Sequence, residues 1–129
     1  MNEVINKIQS KINELNYRMN QLYYSKKNIK FYYAEKISII KQEIKDLEAQ
    51  VIYFKNFNDN EEIDIHGATK YFVEYYLDDL LYYKMNYYQK VKLITGKGTF
   101  TLFNYVKKYL NNEKIKYKII ENNFIINLY

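Results

Sequence analysis

Two short stretches decide how this chain of 129 residues reads: Glu62-Ile63-Asp64-Ile65-His66-Gly67 and Val91-Lys92-Leu93-Ile94-Thr95-Gly96-Lys97-Gly98. Each alternates or runs apolar like a strand and then meets glycine, the pattern of a sheet strand entering a turn. Alternation sets Asp64 and His66 on one face of the first strand, at its carboxyl end. Between the stretches, the spacing of Val73, Leu77, Leu80 and Leu81 predicts a helix to about Tyr88, with Thr69 placed to cap it. After the second strand, Thr99 or Thr101 opens another helix, with Leu102, Tyr105, Val106, Tyr109 and Leu110 as its buried stripe. Lys116 to Ile120 and Phe124 to Leu128 read as two further strands, joined by a tight turn at Asn122-Asn123. The order βαβαββ predicts an α+β fold, an α/β sandwich in which two helices cover a small sheet.

Toward the amino end the period changes. Ile5, Ile8, Ile12, Leu15, Met19 and Leu22 step alternately by three and four, and Ile37, Ile40, Ile44, Leu47, Val51 and Phe54 form a second helical seam. Tyr23 to Tyr33 breaks the register and carries the polar run Ser25-Lys26-Lys27-Asn28. Two apolar stripes with a short join predict an antiparallel helical hairpin. The competing arrangement is one long helix in a parallel coiled-coil homodimer, which is not favoured. Asn56-Phe57-Asn58-Asp59-Asn60 holds poor helix formers and marks a boundary. Residues 1–58 are expected to form the helical extension and 59–129 the α+β domain.

Hydrophobic residues make up 48% and charged residues 27% of the chain, a globular rather than disordered composition. With no Cys there are no disulfides, thiolate zinc sites or thiol nucleophiles. No apolar run approaches the ~18 residues of a membrane span, and the first residues are charged. The expectation is an intracellular, cytoplasmic protein that does not contact membrane. A net charge of +5 favours an anionic partner. However, 17 Tyr with no Pro and no Trp is also what A+T-rich codons produce, so the placement of the charges is more informative than their number.

If the first two strands are parallel, Asp64 and His66 meet the Thr95-Gly96-Lys97-Gly98 loop at one sheet edge, where open α/β folds bind ligands. Glycines let the backbone approach a ligand closely, the following helix begins with free N–H groups, and Lys97 adds a cation. Asp64 and His66 are therefore the candidate catalytic pair, with Thr95, Gly96, Lys97 and Gly98 as candidate phosphate-binding residues. The loop is not a Walker A motif, because Val91 stands where that motif requires glycine. One imidazole and one carboxylate without an acidic cluster suggest no metal site, and no cofactor is expected. Lys84, Lys90, Lys92, Lys97, Lys107, Lys108, Lys114, Lys116 and Lys118 share a stretch whose only acid is Glu113. Of these, Lys92, Lys107 and Lys108 are the candidate nucleic-acid contacts. Within Tyr82-Tyr83 and Tyr87-Tyr88, one ring of each pair is expected to pack and the other to cover surface. Taken singly, a strand-end histidine, a glycine turn and surface lysines are commonplace; their joint placement carries the reading.

Ile63-Asp64-Ile65-His66-Gly67, a helix, Leu93-Ile94-Thr95-Gly96-Lys97-Gly98, a helix and a strand pair together resemble the Smr (small MutS-related) domain. Its hallmarks are an Asp-Leu-His-Gly motif and a Thr/His-Gly-x-Gly loop. The resemblance covers roughly Glu62 to Tyr129, and Ala49 to Asn56 is similar to the end of the helical extension preceding eukaryotic Smr domains. It implies the fold of the C-terminal domain of translation initiation factor three and an endonuclease activity on RNA, notably ribosome-associated messenger RNA. By motif position it implies functional roles for Asp64, His66, Thr95, Gly96, Lys97 and Gly98. Ile65 replaces Leu, Ala68 replaces a larger aliphatic residue, and Thr99-Phe100-Thr101 looks shorter than the polar loop of many relatives. The expectation is metal-independent cleavage by His66 and Asp64. A non-catalytic RNA- or ribosome-binding factor, a DNA-nicking protein and a coiled-coil assembly protein stand behind it, in that order.

Overall fold

The structure is a computed structural model that describes residues 2–23, 30–96, 98 and 100–127, with side chains described except at 30–33. Its elements are α1 (Asn2–Tyr23), α2 (Lys30–Lys55), β1 (Glu62–Asp64), α3 (Lys70–Tyr75), α4 (Leu77–Met85), β2 (Lys90–Ile94), α5 (Thr101–Asn112), β3 (Tyr117–Ile120) and β4 (Asn123–Asn127). The fold class is α+β. The sheet order is β1-β2-β4-β3, with β1 parallel to β2 and both other pairings antiparallel.

One sheet face carries Ile63, Val91, Leu93, Phe124 and Ile126, all buried in one core. Phe72 and Val73 of α3, Leu77, Leu80 and Leu81 of α4, and Val106 and Leu110 of α5 close over it. Each such side chain contributes about 1.5–3 kcal/mol on burial, which is why the helical stripe of the sequence selects this layer. The opposite face presents Glu62, Lys90, Lys118 and Ile120 to solvent.

The expected helix after β1 is broken. Thr69 precedes it in extended conformation without a side-chain cap bond, and Tyr76 (φ −125°, ψ −27°) separates α3 from α4. There the Tyr76 hydroxyl turns toward α2 and donates to Asp46 Oδ1 at 2.6 Å. The final helix starts at Thr101 with Phe100 before it in the left-handed region (φ 60°), while Thr99 lies outside the described residues. The strand pair turns one residue earlier than expected. Glu121 (φ 53°) and Asn122 (φ 66°) form a two-residue turn with both φ positive, and Asn123 already pairs with Ile120. Leu128 and the Ser25-Lys26-Lys27-Asn28 join also lie outside the described residues.

The two helical seams pack on each other within one chain, with Ile12 and Leu15 against Ile40, Ile44 and Val51. Leu22 adjoins Ile39 and Ile40, and Lys41 Nζ lies 5.6 Å from the Tyr23 ring centre. The end of α1 thus meets the first half of α2, and the helices run antiparallel.

α2 also reaches the sheet domain. Ala49 belongs to its buried core, and Ile52 and Tyr53 pack against it. Asp46 accepts hydrogen bonds from the hydroxyls of Tyr71 and Tyr76, each at 2.6 Å, and from Gln50 Nε2 at 2.8 Å. Burial pushes the Asp46 carboxyl up, but these three donors outweigh it and hold it below its ordinary value. The same carboxylate pushes the Tyr71 hydroxyl up to about 12. Lys84, grouped by sequence with the basic surface, is instead fully buried. Its ammonium donates to Asn58 O (3.0 Å), Asn58 Oδ1 (2.7 Å) and Asn60 O (2.6 Å), pinning the segment that leads into β1. Tyr82 and Tyr87 are exposed while Tyr83 and Tyr88 are half-buried, as the paired rings suggest. Among the described residues, no helix is long and apolar enough to cross a membrane.

Asp46→Asn should destabilise the fold by about 1–2 kcal/mol at neutral pH, because hydrogen bonds to a charged acceptor are exchanged for neutral ones. A depressed folded-state value means this stabilisation is complete above the unfolded carboxyl value near 3.8 and is lost as pH falls through the lower folded one. Thermal melts of both proteins from pH 7 to pH 2 should therefore converge at the acid end.

Candidate functional site

β1 and β2 are parallel and in a register that pairs Asp64 with Ile94. The ladder continues one step, with Ile65 N–H donating to Ile94 O at 2.9 Å. That step lays His66 beside the residues following β2. The contact is close enough that a Cβ added to Gly96 would fall 2.8 Å from His66 Cβ. Gly96 also has φ +86°, so this position needs glycine both for its backbone and for the space. Gly67, at φ +77°, turns the chain away directly after His66. The imidazole and the glycine turn thus share one edge of the sheet, as the sequence predicts.

His66 Nδ1 lies 2.7 Å from Asp64 Oδ1, and the His66 backbone N–H donates to the same oxygen at 3.1 Å. A carboxylate only accepts, so Nδ1 carries a proton, and in the neutral ring Nε2 is the acceptor. Both side chains are open to solvent, at 73% for His66 and 49% for Asp64. This is an oriented imidazole whose Nε2 makes no hydrogen bond among the described residues.

Asp64 is itself held by a residue that sequence reasoning assigned only to a boundary. On either side of β1, Glu61 O and Ile65 N–H bond to β2, so the polar backbone groups of Asp64 point to the free edge of the sheet. Asn56, 4% exposed at the end of α2, fills that edge. Its Oδ1 accepts from Asp64 N–H at 2.8 Å and its Nδ2 donates to Asp64 O at 3.0 Å, while also reaching Ile52 O at 2.8 Å. The carboxamide acts as one residue of an extra strand. The only sequence signal was an asparagine where a helix stops, and asparagine is ordinary there.

The remaining candidates divide. Thr95 is buried, and its Oγ1 has no hydrogen-bond partner among the described residues, so the hydroxyl is not offered to a ligand. Gly98 is exposed, and Lys97 lies outside the described residues. α5 begins just beyond, without an acid in its first turn or a side-chain cap from Phe100, leaving a partial positive charge at the turn. Lys92 lies on the same sheet face as Asp64, 3.9 Å from Glu62 Oε1. Lys107 and Lys108 are exposed on α5, whose Val106 and Leu110 bury against the other face of the sheet. Lys108 borders a hollow with Lys70, Tyr105 and Glu113. The three lysines therefore do not form one patch, because the fold puts sheet and helix layer between them.

Compared with protein-family models, curated proteins and solved structures, the chain finds no match. The site stands on its own geometry. Among the described residues no group of three or more His, Cys, Asp or Glu side chains comes together as a metal site would require.

Gly96→Ala should displace His66 and strain the turn, costing about 1–2 kcal/mol of stability, measured by urea unfolding. Asn56→Ala strips both partners from the Asp64 backbone and should cost about 1–3 kcal/mol. In the same variant, amide exchange at Asp64 should accelerate far more than at Leu93, which sits in the interior of the sheet.

Proposed function

We propose that the chain is an Smr-type endoribonuclease acting on RNA, with ribosome-associated messenger RNA in the cytoplasm as its working substrate. The observation that carries this reading is the solvent-open His66–Asp64 pair packed against Gly96 at the start of a helix-leading turn. The residues around Glu62 to Tyr129 that resemble the Smr domain are the ones from which this edge is built.

In this reading Nε2 of His66 takes the proton of a ribose 2′-OH. The 2′-oxygen attacks phosphorus, the bond from phosphorus to the 5′-oxygen breaks, and the leaving oxygen takes a proton from the water that an exposed site admits. The products are a 2′,3′-cyclic phosphate and a 5′-OH end. Asp64 keeps Nδ1 protonated, fixes the ring and stabilises the imidazolium that forms. Backbone N–H groups of Gly96, Gly98 and the start of α5 stabilise charge developing on the phosphoryl oxygens. The mechanism asks nothing of a metal, because the nucleophile is supplied by the substrate.

A second reading, a non-catalytic RNA- or ribosome-binding factor, is favoured by one feature: α5 opens at Thr101, leaving only a short segment after Gly98 to grip substrate. A third is a DNA-nicking protein.

Labelled RNA incubated with the protein in EDTA should yield 2′,3′-cyclic phosphate ends, and His66→Ala should lower the rate by a factor of about 10²–10⁴ while binding persists. Binding without cutting by the wild type selects the second reading. Nicking of supercoiled plasmid, or efficient cleavage of a 2′-deoxy strand, selects the third.

A further inference from the structure

The helix layer covers one face of the sheet, and the residues of the other face are arranged by register. Across β1, β2, β4 and β3, Glu62, Lys92, Ile125 and Lys118 form one row. Lys90 pairs with Asn127 in the next row, and Lys116, just before β3, shares a groove with Lys118 and Asn127. Lys90, Lys116 and Lys118 are exposed and Lys92 is half-exposed. Among the described strand residues, Glu62 is the only acid on this face apart from Asp64 at its corner, with Glu121 in the turn beyond Ile120, and the 3.9 Å approach of Glu62 to Lys92 is loose. Lys114, Lys116, Lys118 and Asn127 also border a groove at the end of the sheet, floored by Met85, Ile115 and Tyr117 of the core side.

The helix side differs. There Tyr105 and Tyr109 donate to Glu74 (2.7 Å) and Asp78 (2.5 Å), and Glu113 adjoins Lys108, so acids are interleaved with the lysines. Positive charge is therefore concentrated on the sheet face and diluted on the helix face.

We propose that the uncovered sheet face is a track for single-stranded RNA, with Lys92, Lys116 and Lys118 holding successive phosphates of a strand that leads to the Asp64–His66 corner. This rests on the nuclease reading and names how its substrate is held. Lysines two apart on extended chain repeat every ~6.6–6.8 Å, and neighbouring strands repeat every ~4.8 Å, so the face offers a periodic array to a periodic polyanion. Ile120 is exposed toward the same end of the sheet as Asp64 and Ile94, which gives a base or ribose an apolar surface beside the cleavage corner. A membrane partner would need a broader exposed apolar face, because on this side Ile125 is buried among the lysines and Ile120 alone of its isoleucines is more than half exposed among the described residues.

The test is binding of a fluorescent single-stranded 2′-O-methyl RNA, which the proposed chemistry does not cut, by the full chain across a salt series. The Lys116→Gln/Lys118→Gln double variant should bind about tenfold more weakly at low salt, and its log–log salt slope should fall by about 0.7 per lysine removed. The Lys107→Gln/Lys108→Gln double should keep the wild-type slope. Equal losses in both doubles, an unchanged sheet-face double, no binding by the wild type, or capture by phosphatidylserine vesicles in place of RNA overturns the track. Cleavage of ordinary RNA, read in parallel, separates the two proposals. A track without cutting sinks the nuclease reading alone, and cutting with an unchanged sheet-face double sinks the track alone.

Discussion

Parallel pairing of β1 with β2 is the constraint on which the geometry of the candidate site depends. The last bond of that ladder, from Ile65 N–H to Ile94 O, fixes how far His66 extends past the strand and sets it against Gly96. A shift by one residue would turn Asp64 and His66 to the opposite side of the strand and send Ile63 out of the core. Ile63 is fully buried, so apolar packing enforces the register that the site requires.

β1 is three residues long and lies at the edge of the sheet, a position with little hydrogen bonding of its own. Two devices compensate. Asn56 supplies the missing edge partner from the end of α2, and the buried Lys84 ammonium ties down Asn58 and Asn60 on the approach. α2 is in turn anchored by Asp46 between two tyrosine hydroxyls. The amino-terminal helices consequently brace the strand that carries the candidate pair. Tyrosine serves here as a dual-purpose side chain, its ring filling the layer and its hydroxyl finding a carboxylate across it.

Much of this was legible locally. The stepping of Ile12, Leu15, Ile40 and Ile44 gave the hairpin, and the alternation around Ile63 together with the Thr95-Gly96 turn gave the edge where the pair sits. What stayed hidden depends on contacts distant in sequence. The break at Tyr76 answers to Asp46, thirty positions away along the chain, and no propensity encodes it. Lys84 reads as one more surface lysine until the backbone carbonyls that surround it are in place. Asn56 reads as a helix stop, and its pairing with Asp64 exists only once α2 packs beside β1. Lys92, Lys107 and Lys108 look alike in a linear charge count, yet alternation and helical phase send them to opposite faces.

The central proposal is that the solvent-open His66–Asp64 pair and the adjoining Gly96 turn together take a phosphodiester. Its most direct test is nuclear magnetic resonance of ¹⁵N-labelled protein titrated with an uncleavable 2′-deoxy dinucleotide. The account predicts that His66 Nε2 and the Gly96 and Gly98 amides shift together along one saturation curve. Shifts that leave the imidazole still, or that follow separate curves at the ring and the turn, would contradict it.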